Sequence, residues 1–369
     1  MNYKETLFFV GKCLTINHEE QNRIIVENEL KSNTIDWDSV VKLSTEHYVF
    51  PALYCNLKKA DFLHYLPDDL VEYMKHITDL NRERNQQIIA QAKEINGILL
   101  ENNITPIFLK GTGNLLEGLY NDIAERMVGD IDFIVSEKEY FNTIEILLKA
   151  GYRNVSNKNY HFPHQRHYYR IKKNKRLAAV EIHNKVTKDK YDKFFDYNYI
   201  LKDKLENENN ENFLSDSNKL NLSIISKHIN DYGRLFKNIS LRNAYDVYLL
   251  SLRVDAKKAT SNLKALSFHL NCFLASCHYT LGQVKSLEYN KNKRTHKYVK
   301  SFLNFSSKTK SYRNTLIHLY LYLKLRTSLF FRFFYKKEVR IWFLGIINDK
   351  DWQRKKIIQL GLKKPKSSS

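Results

Sequence analysis

Cysteine is scarce in this chain: four residues, Cys13, Cys55, Cys272 and Cys277, in a length of 369. Their scatter excludes a zinc ribbon and a dense disulfide framework, and it fits a reducing cytoplasm. No uncharged run of 18 or more apolar residues exists, so no transmembrane helix is expected. The opening Met1-Asn2-Tyr3-Lys4-Glu5 lacks the apolar h-region of a signal peptide. There is no Gly-Lys-Ser/Thr phosphate loop and no internal repeat. Glycine is also sparse, at 11 residues, beside abundant Lys and Asn, the mark of an AT-biased codon supply.

Hydrophobic residues make up 43%, enough for real cores and too many for a disordered chain. The length predicts two domains or one large one. Acid is missing mainly from one end. From Lys285 to Ser369 there are 22 Lys/Arg against 4 Asp/Glu, so nearly all of the formal charge of +20 sits there. That segment also carries Leu316 to Arg326 and Leu329 to Lys337, in which basic residues interleave with large aromatic and aliphatic ones. Three readings are open for residues 285–369. One is an interfacial helix on an anionic membrane surface, and another is a nucleic-acid groove with stacking aromatics. The third is a helical cap with solvated lysines.

Hydrophobic periodicity divides the rest. Residues 1–102 read as a helical region, with Asp36 as N-cap before Trp37 to Glu46. A long helix opens at Pro67-Asp68-Asp69, with apolar positions at Leu80, Ile88, Ile89, Ala92, Ile95, Ile98 and Leu99. Residues 103–200 alternate strands with short helices, one running from Glu139 to Ala150 and ending at Gly151. The Asp/Glu/Asn/Ser-rich stretch 203–217 predicts a loop. From 218 to 369 the pattern is helical again.

The most telling run is Gly129-Asp130-Ile131-Asp132-Phe133-Ile134-Val135. A strand has a side-chain period of two, so Asp130 and Asp132 share a face. Two such carboxylates repel unless a cation lies between them, and an oxygen-rich open site suits Mg²⁺, with Mn²⁺ as a substitute. Upstream, Ile104 to Leu109 reads as a short strand, followed by the turn Lys110-Gly111-Thr112-Gly113 and a helical stretch from Asn114 to Tyr120. A strand, a glycine turn and a helix start offer free N–H groups to a phosphate. A third carboxylate, Glu181, sits in the apolar strand Leu177 to His183, where an acid is costly unless paired or metal-bound. Each has a plainer reading: a solvated strand edge for the Asp pair, a buried ion pair for Glu181, and an ordinary turn for Lys110 to Gly113. Arg126 reads as a phosphate contact or as a partner of the aspartates. His183, on the face of Glu181, reads first as a hydrogen-bonding neighbour.

His161, His164 and His167 recur every third residue, but Pro163 denies them a common helix face and no cysteine lies near, so zinc is disfavoured. A strand or loop beside the site, with one His near the substrate, fits better. The basic run Arg170 to Arg176 reads as a solvated hairpin tip between Tyr168–Lys172 and Leu177–His183.

This order of motifs resembles the DNA polymerase β-like nucleotidyltransferase superfamily. Within it, the chain is similar to the bacterial "uncharacterised nucleotidyltransferase" family. The resemblance rests on Leu109-Lys110-Gly111, Tyr120, Arg126, Gly129 to Asp132, and Glu181-Ile182-His183. His47 to Tyr54, Lys227-His228 and Leu241 to Asp246 also match, so it covers roughly residues 30 to 255. One departure is Lys-Gly-Thr where the superfamily usually has Gly-Gly or Gly-Ser.

The resemblance implies an α/β fold, a nucleotidyltransferase core of a small mixed β-sheet with helices, flanked by N- and C-terminal helical regions. It implies an enzyme that moves an NMP from an NTP to a hydroxyl acceptor; the scattered cysteines place it in the cytoplasm, peripheral to the inner membrane if the tail binds lipid. Asp130, Asp132 and Glu181 are the expected catalytic and metal-binding residues, and Lys110, Gly111, Thr112 and Arg126 the expected phosphate contacts. Two metal ions would clamp the entering and leaving oxygens. The acceptor, whether small molecule, protein or tRNA, is not legible. The alternative is a non-catalytic nucleotide-, nucleic-acid- or membrane-binding regulator that keeps the fold. A phosphohydrolase is disfavoured for want of a larger His/Asp set.

Overall fold

The computed structural model describes residues 1–155, 166–304, 307–350 and 352–354. The chain opens with helices Tyr3–Cys13, Glu20–Lys31, Trp37–Glu46 and Phe50–Lys59. Asp36 caps the third, accepting from the Ser39 amide at 3.1 Å. The 33-residue helix Asp68–Leu100 follows. Its apolar stripe of Met74, Ile88, Ala92, Ile95 and Leu99 is buried as the periodicity requires. Leu80, expected on that stripe, is 48% exposed; Asn81 and Asn85 are buried instead.

Those buried amides give the long helix its role as a spine. Asn81 donates to the Ala124 carbonyl at 2.7 Å, and Asn85 donates to the Arg126 carbonyl at 2.7 Å. Gln91 exchanges two bonds with the backbone of Ala178, at 3.0 and 3.1 Å. Each amide satisfies main-chain groups that would otherwise be buried unpaired. The helix thereby fixes the loop before one carboxylate strand and the start of the other.

Seven strands form one mixed sheet: β1 Ile107–Phe108, β2 Asp130–Ile134, β3 Tyr152–Asn154, β4 Ile171–Lys173, β5 Ala179–His183, β6 Leu205–Glu206 and β7 Asn212–Phe213. Their order across the sheet is β3-β4-β5-β2-β1-β7-β6. β2 runs parallel to β5 with Asp132 opposite Glu181, while β1 is antiparallel to β2. Ile131, Phe133, Val180 and Ile182 are fully buried and hold this register, because a slip of one residue would turn the acids into the core.

The expected strand from Ile104 to Leu109 narrows to two residues, although the Leu109 amide still donates to the Asp132 carbonyl at 2.9 Å. The loop expected over 203–217 is in part a hairpin, so that reading is corrected. Phe213 is buried beside β1, and the Asn207 side chain accepts from the Asn209 and Glu211 amides to close the turn.

Helices then run from Asp216–Ile224 through a π-turn, Ile225–Asn230, to Leu241–Ser251, Ala256–Asn262, Ser267–Thr280 and Lys293–Leu303. One continuous hydrophobic core extends from Leu7 to Val299. Among the described residues, the last two helices, Ser307–Tyr335 and Lys337–Asn348, contribute nothing to it.

Candidate active site

The site lies on the polar edge of β2 and β5. Asp130 and Asp132 alternate with buried Ile131 and Phe133, so both carboxylates project to one side. Glu181 arrives beside them because β5 pairs with β2 in register. Asp132 and Glu181 are each 8% exposed.

Two cations hold the three acids together. Lys110 Nζ lies 2.5 Å from Asp132 Oδ1. Arg170 bridges the others: Nε donates to Glu181 Oε1 at 2.8 Å, and a terminal nitrogen donates to Asp130 Oδ2 at 2.8 Å. His183 Nε2 is 2.9 Å from Asp132 Oδ1, and the 1% exposed imidazole also has a Glu181 oxygen 3.8 Å away.

Burial resists charge on Asp132, yet the Lys110 ammonium and the His183 hydrogen bond overcome it and hold the carboxyl well below its usual range. Asp130 moves the other way. Burial raises it, and the neighbouring Glu181 and Asp132 add to this against the pull of Arg170. Burial, then Lys110, lowers His183 to about 4, so the ring is neutral and carries its proton at Nε2 towards Asp132.

The donor set fits a hard divalent cation. Ligand atoms of Asp132, Glu181 and His183 all lie within 4.8 Å of one another. The guanidinium spanning Asp130 and Glu181 already occupies a place that calls for positive charge. Two carboxylate oxygens and a further carboxylate on the same face match the oxygen preference of Mg²⁺ or Mn²⁺. His183 stands within this set as the hydrogen-bonding neighbour of Asp132, as its place on the face of Glu181 predicts.

The turn after β1 is tightly built. Lys110 adopts φ 51°, uncommon for a residue with a side chain, and opens the helix Lys110–Leu116. A Cβ on Gly113 would stand 2.7 Å from the Phe108 carbonyl oxygen, and one on Gly111 2.8 Å from Val128. Both positions therefore need glycine for close approach. The Thr112 hydroxyl donates to the Asp130 carbonyl at 2.9 Å, clamping the turn to β2.

Arg126 stands apart from the carboxylates. It is 6% exposed, and its Nε lies 3.0 and 3.2 Å from the two oxygens of Asp246, on the helix Leu241–Ser251. Tyr120 donates to the same carboxylate at 2.7 Å. The guanidinium packs under the turn, about where a Gly111 side chain would reach it. Its partner is Asp246 rather than the aspartates of β2.

The sequence pattern puts Arg170 in a solvated tip; the structure brings it to the carboxylates instead. The hairpin register identifies it: Ile171 pairs with Val180, which sets residue 170 opposite Glu181. His167 bridges to His183 and lies 3.9 Å from Glu181, so one histidine of the triplet reaches the site. His161 and His164 lie outside the described residues.

No curated protein and no solved structure matches this chain. The family model described as "Uncharacterised nucleotidyltransferase" matches residues 33–284, more than half of the length, and takes in the β2 and β5 carboxylates, the Lys110 turn and the helix bearing Asp246. The chain belongs to that nucleotidyltransferase family.

Proposed function

We propose that the protein transfers a nucleoside monophosphate from an NTP to a hydroxyl acceptor, with Asp130, Asp132 and Glu181 at the reacting centre. The observation that carries this reading is the register that sets Asp132 opposite Glu181, with Asp130 on the same face. The acceptor oxygen attacks the α-phosphorus in line, the new O–P bond forms, and pyrophosphate leaves with the electrons of the broken bond. Two divalent cations, Mg²⁺ or Mn²⁺, held by Asp130, Asp132 and Glu181, would supply charge neutralisation at the entering and leaving oxygens.

The chain's own residues position the reactants. Glu181 accepts the proton of the attacking hydroxyl. His183 orients Asp132 through the 2.9 Å bond and keeps it ionised. Lys110 and Arg170 neutralise the carboxylates in the resting state and turn to phosphate oxygens when these arrive. Gly111 and Thr112 hold the turn against β2, and Arg126 supports it from below. Catalysis of this kind is mostly alignment and electrostatics.

The test is incubation of the protein with each α-labelled NTP, Mg²⁺ or Mn²⁺ and host lysate, beside Asp130→Asn/Asp132→Asn. Label should pass to a protein, RNA or small-molecule fraction with the wild type alone. Transfer surviving in the double variant overturns the mechanism.

The tail has its own reading. Helices Ser307–Tyr335 and Lys337–Asn348 leave Leu319, Leu323, Phe330, Phe331, Phe334 and Ile341 more than half exposed, with Lys324, Arg326, Arg332 and Arg340 among them. An apolar cleft of about 540 Å³ between the two helices is lined by Phe333, Trp342, Phe343 and Ile346, with Arg326 also on its wall. No described helix is long and apolar enough to cross a membrane. Aliphatic and aromatic surface mixed with cations suits an anionic lipid interface better than a stacking groove. Full-length protein should float with phosphatidylglycerol vesicles and not with phosphatidylcholine; retention by RNA instead of anionic vesicles would reverse this assignment.

A further inference from the structure

The expected phosphate contacts leave a gap. Lys110 is paired with Asp132, the Thr112 hydroxyl is engaged by Asp130, and Arg126 is held by Asp246. Beside the site, Arg166, Lys188, Lys227 and Arg242 are partly buried and carry no hydrogen-bonded carboxylate among the described residues. Their elements border the site in sequence and in space.

The Arg166 carbonyl accepts from the Asn184 and Lys185 amides at 3.2 and 3.1 Å, which places it at the end of β5. Its guanidinium lies in the field of Glu181 and Asp132. Lys188 follows on the same loop; its Nζ is buried without a hydrogen-bond partner, 3.1 Å from the ring centre of Tyr232. Asn230 ties that loop to the π-turn by donating to the Val186 carbonyl at 2.9 Å, and Lys227 projects from the π-turn. Arg242 lies one helical turn before Asp246, stacked 4.8 Å from the ring centre of Tyr48 and in the field of Arg126. Its Nε is also buried without a partner. The four thus run from the carboxylates round to the underside of the Lys110 turn.

The backbone beneath them is unusual. Tyr48 and Tyr232, the two rings on which cations rest, both have φ 56°, a conformation bulky residues seldom adopt. Residues 225–230 form a π-turn, a feature that recurs at functional sites. Backbone held in such states needs surroundings that impose it, and these gather where ligands bind.

Burial of a cation without an anion is costly. Burial first, then the neighbouring positive charges, lowers Lys188 to about 8, and Lys227 and Arg242 also fall. Asp231 is the one carboxylate that attracts Arg166, Lys188 and Lys227 alike. No carboxylate hydrogen-bonds these four cations among the described residues, and a phosphoryl group offers several acceptor oxygens at once.

We propose that Arg166, Lys188, Lys227 and Arg242 form a receptor for phosphoryl anions beside the carboxylates. It rests on the transfer reading only in that the substrates bring phosphate. The anion is either the β- and γ-phosphates of the NTP or a phosphate carried by the acceptor.

Calorimetric titration of the full-length protein decides this, using inorganic tripolyphosphate, inorganic phosphate and each NTP with Mg²⁺. Lys188→Met and Lys227→Met should each weaken tripolyphosphate about tenfold and flatten its salt dependence. Unchanged affinity in the double variant overturns the proposal. NTP affinity falling in parallel assigns the receptor to the nucleotide. NTP affinity held while phosphate binding is lost assigns it to the acceptor, and either result supports the receptor. The wild type alone gives a check independent of variant folding: tripolyphosphate in EDTA should raise its melting temperature, less so at high salt, and no rise refutes the receptor. Failure here leaves the transfer assay with the double Asp variant untouched, so the two readings fall separately.

Discussion

Asp246→Asn should destabilise this protein more than any exposed substitution. The side chains of Arg126 and Asp246 are 7% and 1% exposed, so water cannot replace either partner. The carboxylate takes two contacts from Arg126 Nε, at 3.0 and 3.2 Å, and a third bond from Tyr120 at 2.7 Å. Asparagine keeps the shape but leaves the guanidinium without a counter-charge. Breaking one side of a buried pair costs about 3–5 kcal/mol, against a total stability of roughly 5–15 kcal/mol. Urea unfolding of the wild type, Asp246→Asn, Arg126→Met and the double variant measures it. The double variant should lose clearly less than the two singles added, because the second change removes the stranded charge. A single-variant loss below about 1 kcal/mol, or strict additivity, would refute the reasoning. Transfer should fall in the same variants, since Arg126 lies beneath the turn at Gly111.

Other predictions follow from the same geometry. His228 is buried and neutral, donating from Nδ1 to the His269 carbonyl at 3.0 Å with the Tyr298 hydroxyl 3.2 Å from Nε2; burial lowers it to about 3. The unfolded chain protonates it near pH 6.5 while the folded chain does not, so stability present above that pH is lost as pH falls towards 3. Its share is about 2 kcal/mol by pH 5, which urea titrations at pH 7 and 5 should show and His228→Gln should remove. Gly113→Ala drives a Cβ towards the Phe108 carbonyl and should cost about 1–3 kcal/mol together with most of the transfer activity; a neutral result would mean the turn yields. Arg170→Ala frees Asp130 and Glu181, so Mn²⁺ should bind a few-fold tighter without nucleotide by electron paramagnetic resonance, while transfer declines. Weaker Mn²⁺ binding would place the guanidinium outside the competition.

Much of the site was legible because it obeys local rules. Period two placed Asp130 and Asp132 on one face, and an acid inside an apolar strand marked Glu181. Asp36 marks a helix start by capping, and Pro67-Asp68-Asp69 marks one through a proline and acids in the first turn. What escaped depends on pairing across the chain. Arg170 becomes visible only when the hairpin register is known, and Asp246 meets Arg126 across 120 residues with no local signal. Asn81, Asn85 and Gln91 look like surface residues of an amphipathic helix; their burial is set by carbonyls they meet in the fold. The Asn-rich stretch near 210 hid Phe213, because turn composition outweighed one apolar pair of residues.

The parallel pairing of β2 with β5 has a consequence for folding. Asp132 and Glu181 are 49 residues apart in sequence, and the intervening chain contains a helix and two other strands of the sheet. Parallel neighbours of this kind require closure of a long loop before they meet, which makes them late contacts. On the proposed transfer reading, metal and nucleotide would have no binding site before this pairing forms and would not nucleate folding. Their binding energy would then appear as slower unfolding of the folded protein rather than faster folding.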